Sequence, residues 1–346
     1  MTEPAYQDEQ NVSNYYYYDN DDYPISNWCD MSDISRLSAT FTSILYSLIF
    51  LLSLFGNSLV LWIITKYENL MSLTNLFIMN LCITDLAFSC TLPFLIVYSY
   101  HGWIFGDFLC KAVNVVFSIS YYGGVIFLTI MTILRFLAVV DPLSTLRMPT
   151  RKVGTLVCLA IWTSSTLVVV PEMIYTQITV DSDDNLHCEY IDTFTWKLVE
   201  MCQQIFFFLV SFIIIAICYI KMLKILLRSR SHRRHRTVRL IFAIVVVFFL
   251  SWAPYNMLGF MYFLSSYHLI KLSCQTTKHV FFAFDISRKI AFCHCCLNPV
   301  LYVFVGVKFR RHLKLLCKQY SPCRTQPSSP RSSSFHANPY EDASLY

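Results

Sequence analysis

The chain has 346 residues, of which 55% are hydrophobic and only 14% charged, against roughly 25% charged content in soluble domains. That balance excludes an ordinary soluble globule and places the chain in a membrane. The net charge of +5 hides a strong separation of sign along the sequence.

Residues 1–35 contain no Lys or Arg but carry Glu3, Asp8, Glu9, Asp19, Asp21, Asp22, Asp30 and Asp33. Tyr15, Tyr16, Tyr17, Tyr18 and Tyr23 stand among these acids. Low apolar content without helical periodicity predicts a solvated, disordered tail. Nothing in it reads as a cleavable signal peptide, so the first span is expected to serve as the insertion signal. Asn11-Val12-Ser13 is a glycosylation acceptor.

Seven apolar stretches follow, near 40–66, 74–99, 108–140, 153–174, 197–227, 238–264 and 278–305. Each is long enough to cross about 30 Å of hydrocarbon as a helix. The expected fold is an all-α membrane protein, a seven-transmembrane helix bundle with its two termini on opposite sides. Between spans five and six lie Arg228, Arg230, Arg233, Arg234, Arg236 and Arg239, and after span seven come Lys308, Arg310, Arg311, Lys314 and Lys318. Basic connections stay in the cytoplasm, so the N-terminus is expected outside. At a membrane edge this basic strip orients the chain and meets a cytoplasmic partner; it does not read as a nucleic-acid surface. The expected division is an acidic outer tail over 1–38, a bundle over 39–307, and an inner segment over 308–346. That last part is a short amphipathic helix to about 318, then a tail rich in Ser and Pro.

Fourteen cysteines are too many for one framework. Cys82, Cys90, Cys158, Cys202 and Cys218 fall inside apolar spans and read as small buried hydrophobes. Cys29, Cys110, Cys188 and Cys274 fall at outer positions, where oxidising conditions favour pairing; four cysteines allow three connectivities. The run Cys293-His294-Cys295-Cys296 points around one helix, whereas a zinc site needs ligands that converge. Packing is its expected role, and no metal or other cofactor is called for.

Polar residues within spans are the functional candidates, because hydrocarbon tolerates them only when partnered. Asn57 lies in span one and Asp85 in span two. Asp85 is expected to face waters, a cation such as sodium, or partners such as Asn57 and Asn298. Arg135 sits near the inner end of span three, where it could simply snorkel to the interface. Span six carries Trp252 and Pro254, and span two ends in Thr91-Leu92-Pro93, whose hydroxyl can bond the backbone and bend the helix. Span seven carries Asn298-Pro299-Val300-Leu301-Tyr302, where the proline frees a backbone carbonyl that something nearby must satisfy.

Taken together, on these spans and at these depths, the motifs resemble the rhodopsin-like G-protein-coupled receptors over about residues 36–318. Thr91-Leu92-Pro93, Trp103-Ile104-Phe105-Gly106 and the extra cysteines Cys29 and Cys274 are similar to the chemokine receptors. The stretches 233–246, 292–310 and 340–346 resemble the XC class of that family. The resemblance implies the pairs Cys110–Cys188 and Cys29–Cys274. It also implies a basic, lymphotactin-like chemokine ligand at a plasma-membrane receptor, drawn first by the tyrosine-rich tail, whose tyrosines among acids suit sulfation. The ligand's flexible end would enter among Tyr46, Tyr98, Phe117, Glu172, Tyr255, Asp285 and Arg288.

The implied switch comprises Asn57, Asp85, Arg135, Tyr219, Trp252, Pro254, Asn298, Pro299 and Tyr302, opening the inner end to an inhibitory-class heterotrimeric G protein. Ser328, Ser329, Ser332, Ser333 and Ser334 would be sites for receptor kinases and arrestin capture, and Cys317 and Cys323 for palmitoylation into membrane lipid. Three positions depart from the family. Arg288 stands where many chemokine receptors carry Glu, Leu95 where they carry Trp, and Leu134-Arg135-Phe136 lacks the usual acid and tyrosine around the arginine. The last leaves open raised basal activity or a weakly coupled scavenging receptor. An enzyme is not expected, since no nucleophile–base pair or carboxylate dyad stands in a recognisable order. A transporter would show internal repeats or broken helices, and the sequence has no repeat.

Overall fold

The helices of the chain start and stop where proline, glycine and small polar residues interrupt the apolar runs. A computed structural model describes residues 32–68, 72–141, 150–180, 186–190, 193–228, 232–305 and 307–320. Tyr15, Tyr16, Tyr17, Tyr18, Asp19, Asn11 and Cys29, and the serines from 328 to 334, lie outside the described residues. Helix α1 spans Ser32–Tyr67, α2 Leu73–Ser89, α3 Leu92–His101, α4 Gly106–Val140 and α5 Thr150–Tyr175. Strands β1 (Thr176–Val180) and β2 (Leu186–Tyr190) follow, then α6 (Thr193–Arg228), α7 (His232–Ser266), α8 (Cys274–Phe292), α9 (His294–Val305) and α10 (Val307–Tyr320).

Among the described residues, six spans are long and apolar enough to cross a membrane, with Leu73–His101 counted as one. The seventh is formed by α8 and α9. The outward faces are apolar: on α1, Phe41, Ile44, Leu51 and Phe55 are all more than half exposed. Bare aliphatic and aromatic surface of that extent is stable against lipid, not water. Inward, α4 runs through the middle and touches α2, α5, α6 and α7, burying Tyr121, Tyr122, Phe127, Leu128 and Met131.

Two spans are broken, each with a local reason. At the end of α2 the Thr91 hydroxyl donates to the Phe88 carbonyl at 2.7 Å, beside a proline that cannot donate. Span seven, expected as one helix over 278–305, is instead divided at Cys293. There the amides of Cys293 and Cys296 bond carbonyls three residues back, at 3.1 and 3.2 Å, the tighter winding that marks functional hinges.

The hairpin joining α5 to α6 is the departure from an all-α chain among the described residues. Ile178 lies opposite Cys188 in its antiparallel register, and Cys188 is disulfide-bonded to Cys110 at the start of α4. Trp103, 2% exposed, fills the space beneath with Cys110 and Val113; its indole donates to the Gly106 carbonyl at 3.0 Å. Gly102 makes this turn at φ +65°, and a Cβ there would stand 2.8 Å from the Leu186 carbonyl oxygen. Cys274 is also disulfide-bonded; its expected partner, Cys29, lies outside the described residues.

Candidate functional site

Charged residues are rare in these spans, so where they gather is informative. At the hairpin end, one turn of α8 presents Asp285, Arg288 and Lys289. One Asp285 oxygen accepts from Arg288 at 2.6 Å. The other accepts from Lys289 and from the Ser38 hydroxyl of α1, the latter at 2.5 Å; Lys289 also donates to Ser38 at 2.9 Å. Asp285 and Lys289 are each only 4% exposed, whereas the Arg288 side chain keeps 41% of its surface. Two cations therefore share one carboxylate, leaving one positive charge whose guanidinium reaches open space.

Aromatic residues surround that guanidinium. Tyr46 lies beside Arg288 and packs on Phe292, ring centres 5.4 Å apart. The Tyr98 hydroxyl meets the His187 ring nitrogen of β2 at 3.1 Å, and its electrostatic neighbours are Glu189, Arg288 and Lys197. Tyr255 packs edge-on against Trp252 at 5.4 Å and is within reach of Glu200, Lys197 and Arg288. Across the bundle, Glu172 lines a small cavity with Glu200, Tyr122, Tyr190, Trp196 and Gln203. Burial, with Glu200 nearby, pushes the Tyr190 phenol on β2 well above its usual range, so it stays neutral. Tyr46, Tyr98, Tyr255 and Asp285 thus gather around Arg288 as a cup under the hairpin, while Glu172 lies in the cavity across the bundle. Phe117 lies deeper, between Phe88, Phe292 and Trp252, and forms the floor of the cup. Ser38, Lys289, Lys197 and Glu200 were not singled out from sequence, although charges inside apolar spans were a usable signal.

Below the floor lies a buried polar layer. Trp252 is fully buried, with Tyr121 at 4.5 Å and His294 at 5.3 Å. Asn298 donates to an Asp85 oxygen at 2.9 Å; the His294 ring nitrogen stands 3.7 Å from the other, too far for a direct bond. Asn57 was expected among the partners of Asp85, and here the structure differs. Its amide instead donates to the Cys295 carbonyl at 2.9 Å. Cys295 is four residues before Pro299, so its carbonyl is the one the proline's missing N–H releases. Span one thus satisfies the gap in span seven. The approach is close: a Cβ on Gly56 would come within 2.9 Å of the Pro299 ring.

Sodium needs several converging oxygens, as hard cations do. Among the described residues, Asp85 is met by an amide N–H and a ring nitrogen, and this arrangement does not fit that ion. In the cysteine run, the thiols of Cys293, Cys295 and Cys296 each turn back to a backbone carbonyl three or four residues earlier.

At the α10 end, Tyr302 is fully buried and packs against Phe309 with ring centres 5.8 Å apart. Among the described residues the buried Tyr302 hydroxyl has no hydrogen-bond partner, and the buried Tyr219 hydroxyl faces Thr132. Arg135 has Tyr219 as its electrostatic neighbour, and among the described residues no acid pairs with it. Leu134 packs into the apolar core, while Phe136 lies beneath Lys221 at 6.0 Å. Helix α10 is held by its own contact: His312 meets Glu68 at 3.1 Å and stacks on Tyr67.

The profile of the family "7 transmembrane receptor (rhodopsin family)" matches residues 56–302. Chemokine XC receptor 1 of Homo sapiens is 52% identical over 307 residues, covering 88% of this chain and 90% of that protein. The Mus musculus protein of the same name is 48% identical over 303 residues, 86% and 91% respectively. C-C chemokine receptor type 8 of Homo sapiens is 34% identical over 306 residues, 87% and 84%. The chain belongs to the rhodopsin family of seven-transmembrane receptors and, within it, to the chemokine receptors. These are signalling receptors, not enzymes.

Proposed function

We propose that this chain is a plasma-membrane receptor of the XC type, with its acidic tail and hairpin end outside the cell. It binds a basic, lymphotactin-like chemokine there and activates an inhibitory-class G protein at the α10 end, with calcium mobilisation and chemotaxis downstream. The observation that carries the ligand assignment is the uncompensated cation at Arg288. Many chemokine receptors have an acid at this place. A cup floored by aromatics and walled by a half-open guanidinium selects a carboxylate or polar group on the entering segment, because the guanidinium fork matches such acceptors.

Asp285 holds Arg288 in position, and the tyrosine-rich tail supplies long-range attraction for a basic ligand. Ligand binding biases an equilibrium between two packings of α7 and α9 around Trp252 and Pro254. The buried hydroxyls of Tyr219 and Tyr302 then take new partners when the α10 end opens, with Arg135 beside Tyr219. Receptor kinases and arrestin act afterwards on the tail beyond 320.

The absence of an acid beside Arg135 supports a second reading, a scavenging receptor with weak coupling. One assay separates the two: cells expressing the chain are tested for calcium release and cAMP suppression against a chemokine panel that includes lymphotactin. Suppression of cAMP by lymphotactin supports the signalling receptor, uptake without suppression supports the scavenger, and no response or binding to any panel member refutes both.

A further inference from the structure

The charge left on Arg288 depends on a residue that an entering ligand does not meet. Asp285 and Arg288 stand three residues apart on α8, a spacing at which a carboxylate and a guanidinium meet on one helix face. A carboxylate with both oxygens free takes a guanidinium edge in two parallel bonds. Here one bond forms: Asp285 Oδ1 accepts from Arg288 Nη2 at 2.6 Å. Nε, on the same edge of the fork as Nη2, is buried and has no hydrogen-bond partner among the described residues. The oxygen that would have met it, Oδ2, is turned to Lys289 and to the Ser38 hydroxyl.

Lys289 is itself held from α1. Its ammonium donates to Ser38 at 2.9 Å and stands 5.9 Å from the ring centre of Phe41. The side chain is 4% exposed, against 41% for Arg288, so the cup presents the guanidinium and hides the ammonium. Lys289 therefore acts on the cup through Asp285. It draws one carboxylate oxygen away from the guanidinium edge, and it shares the single negative charge that would otherwise cancel Arg288.

We propose that Lys289 is a positioning residue that determines ligand specificity. With Ser38 it keeps Asp285 from a two-bond pair with Arg288, and so leaves the guanidinium uncancelled and open to a carboxylate or polar group of the ligand's inserted segment. The proposal rests on the reading of Arg288 as the group that receives the ligand, and it names what holds that group ready. Without Lys289, Asp285 closes on Nε and Nη2 together, because a second charge-assisted bond forms and a buried donor is satisfied. The cup then carries no net charge from this cluster. The amino-terminal end of α1 thereby takes part in ligand selection without lining the cup.

The test is competition binding of human lymphotactin to cells expressing the full chain, with all variants matched for surface expression. The set is wild type, Arg288→Gln, Lys289→Met and the double variant Lys289→Met/Asp285→Asn. Methionine fills the space of lysine without its charge, and asparagine keeps the shape of aspartate. Lys289→Met should bind about tenfold more weakly than wild type, the worth of one charge-assisted hydrogen bond. Adding Asp285→Asn should restore most of the lost affinity, since the amide cannot cancel Arg288. A residue that only supported the fold would give the opposite sign, because removing Asp285 as well leaves Arg288 without its pair. Wild-type affinity in Lys289→Met, or no gain in the double variant, overturns the role of Lys289. Should Lys289→Met not reach the surface, Lys289→Leu takes its place in both arms under the same criteria. Arg288→Gln that binds as well as wild type overturns the Arg288 reading instead. Failure of lymphotactin to bind wild type overturns the ligand assignment, and the same variants with whichever panel chemokine binds then decide the role of Lys289.

Discussion

Asn57→Ala tests the claim that span one completes the backbone of span seven. The amide makes its three contacts through nitrogen, to the Ser53 carbonyl and hydroxyl at 3.0 Å and to Cys295 at 2.9 Å. Its own oxygen is buried without a partner, so removing the side chain forfeits nothing on that side. What remains at the buried Cys295 carbonyl, among the side chains of the described residues, is the Ser53 hydroxyl at 3.5 Å. An orphaned buried acceptor costs about 1–3 kcal/mol, and hydrogen bonds between membrane helices measure about 0.6 on average and up to about 1.7. A loss of about 1–2 kcal/mol is expected, a few degrees of melting temperature in detergent for a chain of this size. The decisive measurement is the cycle with Pro299→Ala. Alanine restores an N–H four residues beyond Cys295, so in that background Asn57→Ala should cost much less. Equal losses in the two backgrounds would refute the assignment of Asn57 to the carbonyl freed by Pro299.

Three further substitutions probe the two ends of the bundle. Arg288→Glu places a second acid one helical turn from Asp285 and removes the exposed cation; ligand-stimulated cAMP suppression should be abolished or its ligand preference inverted, and an unchanged dose response would contradict the role of Arg288. Leu134→Glu supplies the missing neighbour for Arg135 and should lower ligand-independent nucleotide exchange on the G protein, a worth of about 1 kcal/mol or several-fold if the restraint is a partly buried pair; exchange that stays the same or rises would contradict it. Gly102→Ala forces a side chain into backbone territory that only glycine occupies easily, at about 1–3 kcal/mol, and drives Cβ against the Leu186 carbonyl. Lower surface expression and melting temperature should follow, and a neutral result would mean that the turn under the hairpin relaxes freely.

Legibility in the sequence followed the range of the interactions. The apolar runs and the basic connections showed the spans, because thickness of hydrocarbon and charge at its edge act residue by residue. Thr91-Leu92-Pro93 announced its bend for a similarly local reason, a hydroxyl bonding the carbonyl three residues before it. What fills the gap at Pro299 was not legible, since the carbonyl it releases is taken up by Asn57, on a helix more than 200 residues away in sequence. The same limit applied at the cup. Arg288 stood out as a departure from the family pattern, yet the sharing of Asp285 with Lys289 and Ser38 required α1 to lie beside α8. Glu200 was passed over because nothing along the sequence tells that α5 and α6 bring it to Glu172.

By itself, then, the sequence determined that the chain crosses a membrane seven times, that its polar motifs are those of a chemokine-type receptor, and that Asn298-Pro299 leaves a backbone gap to be filled. Only the tertiary structure decided who fills that gap and which charges remain uncancelled. Hydropathy and helix-breaking are properties of neighbours in the chain, whereas hydrogen-bond satisfaction and net charge in a cavity are sums over helices that only folding brings together.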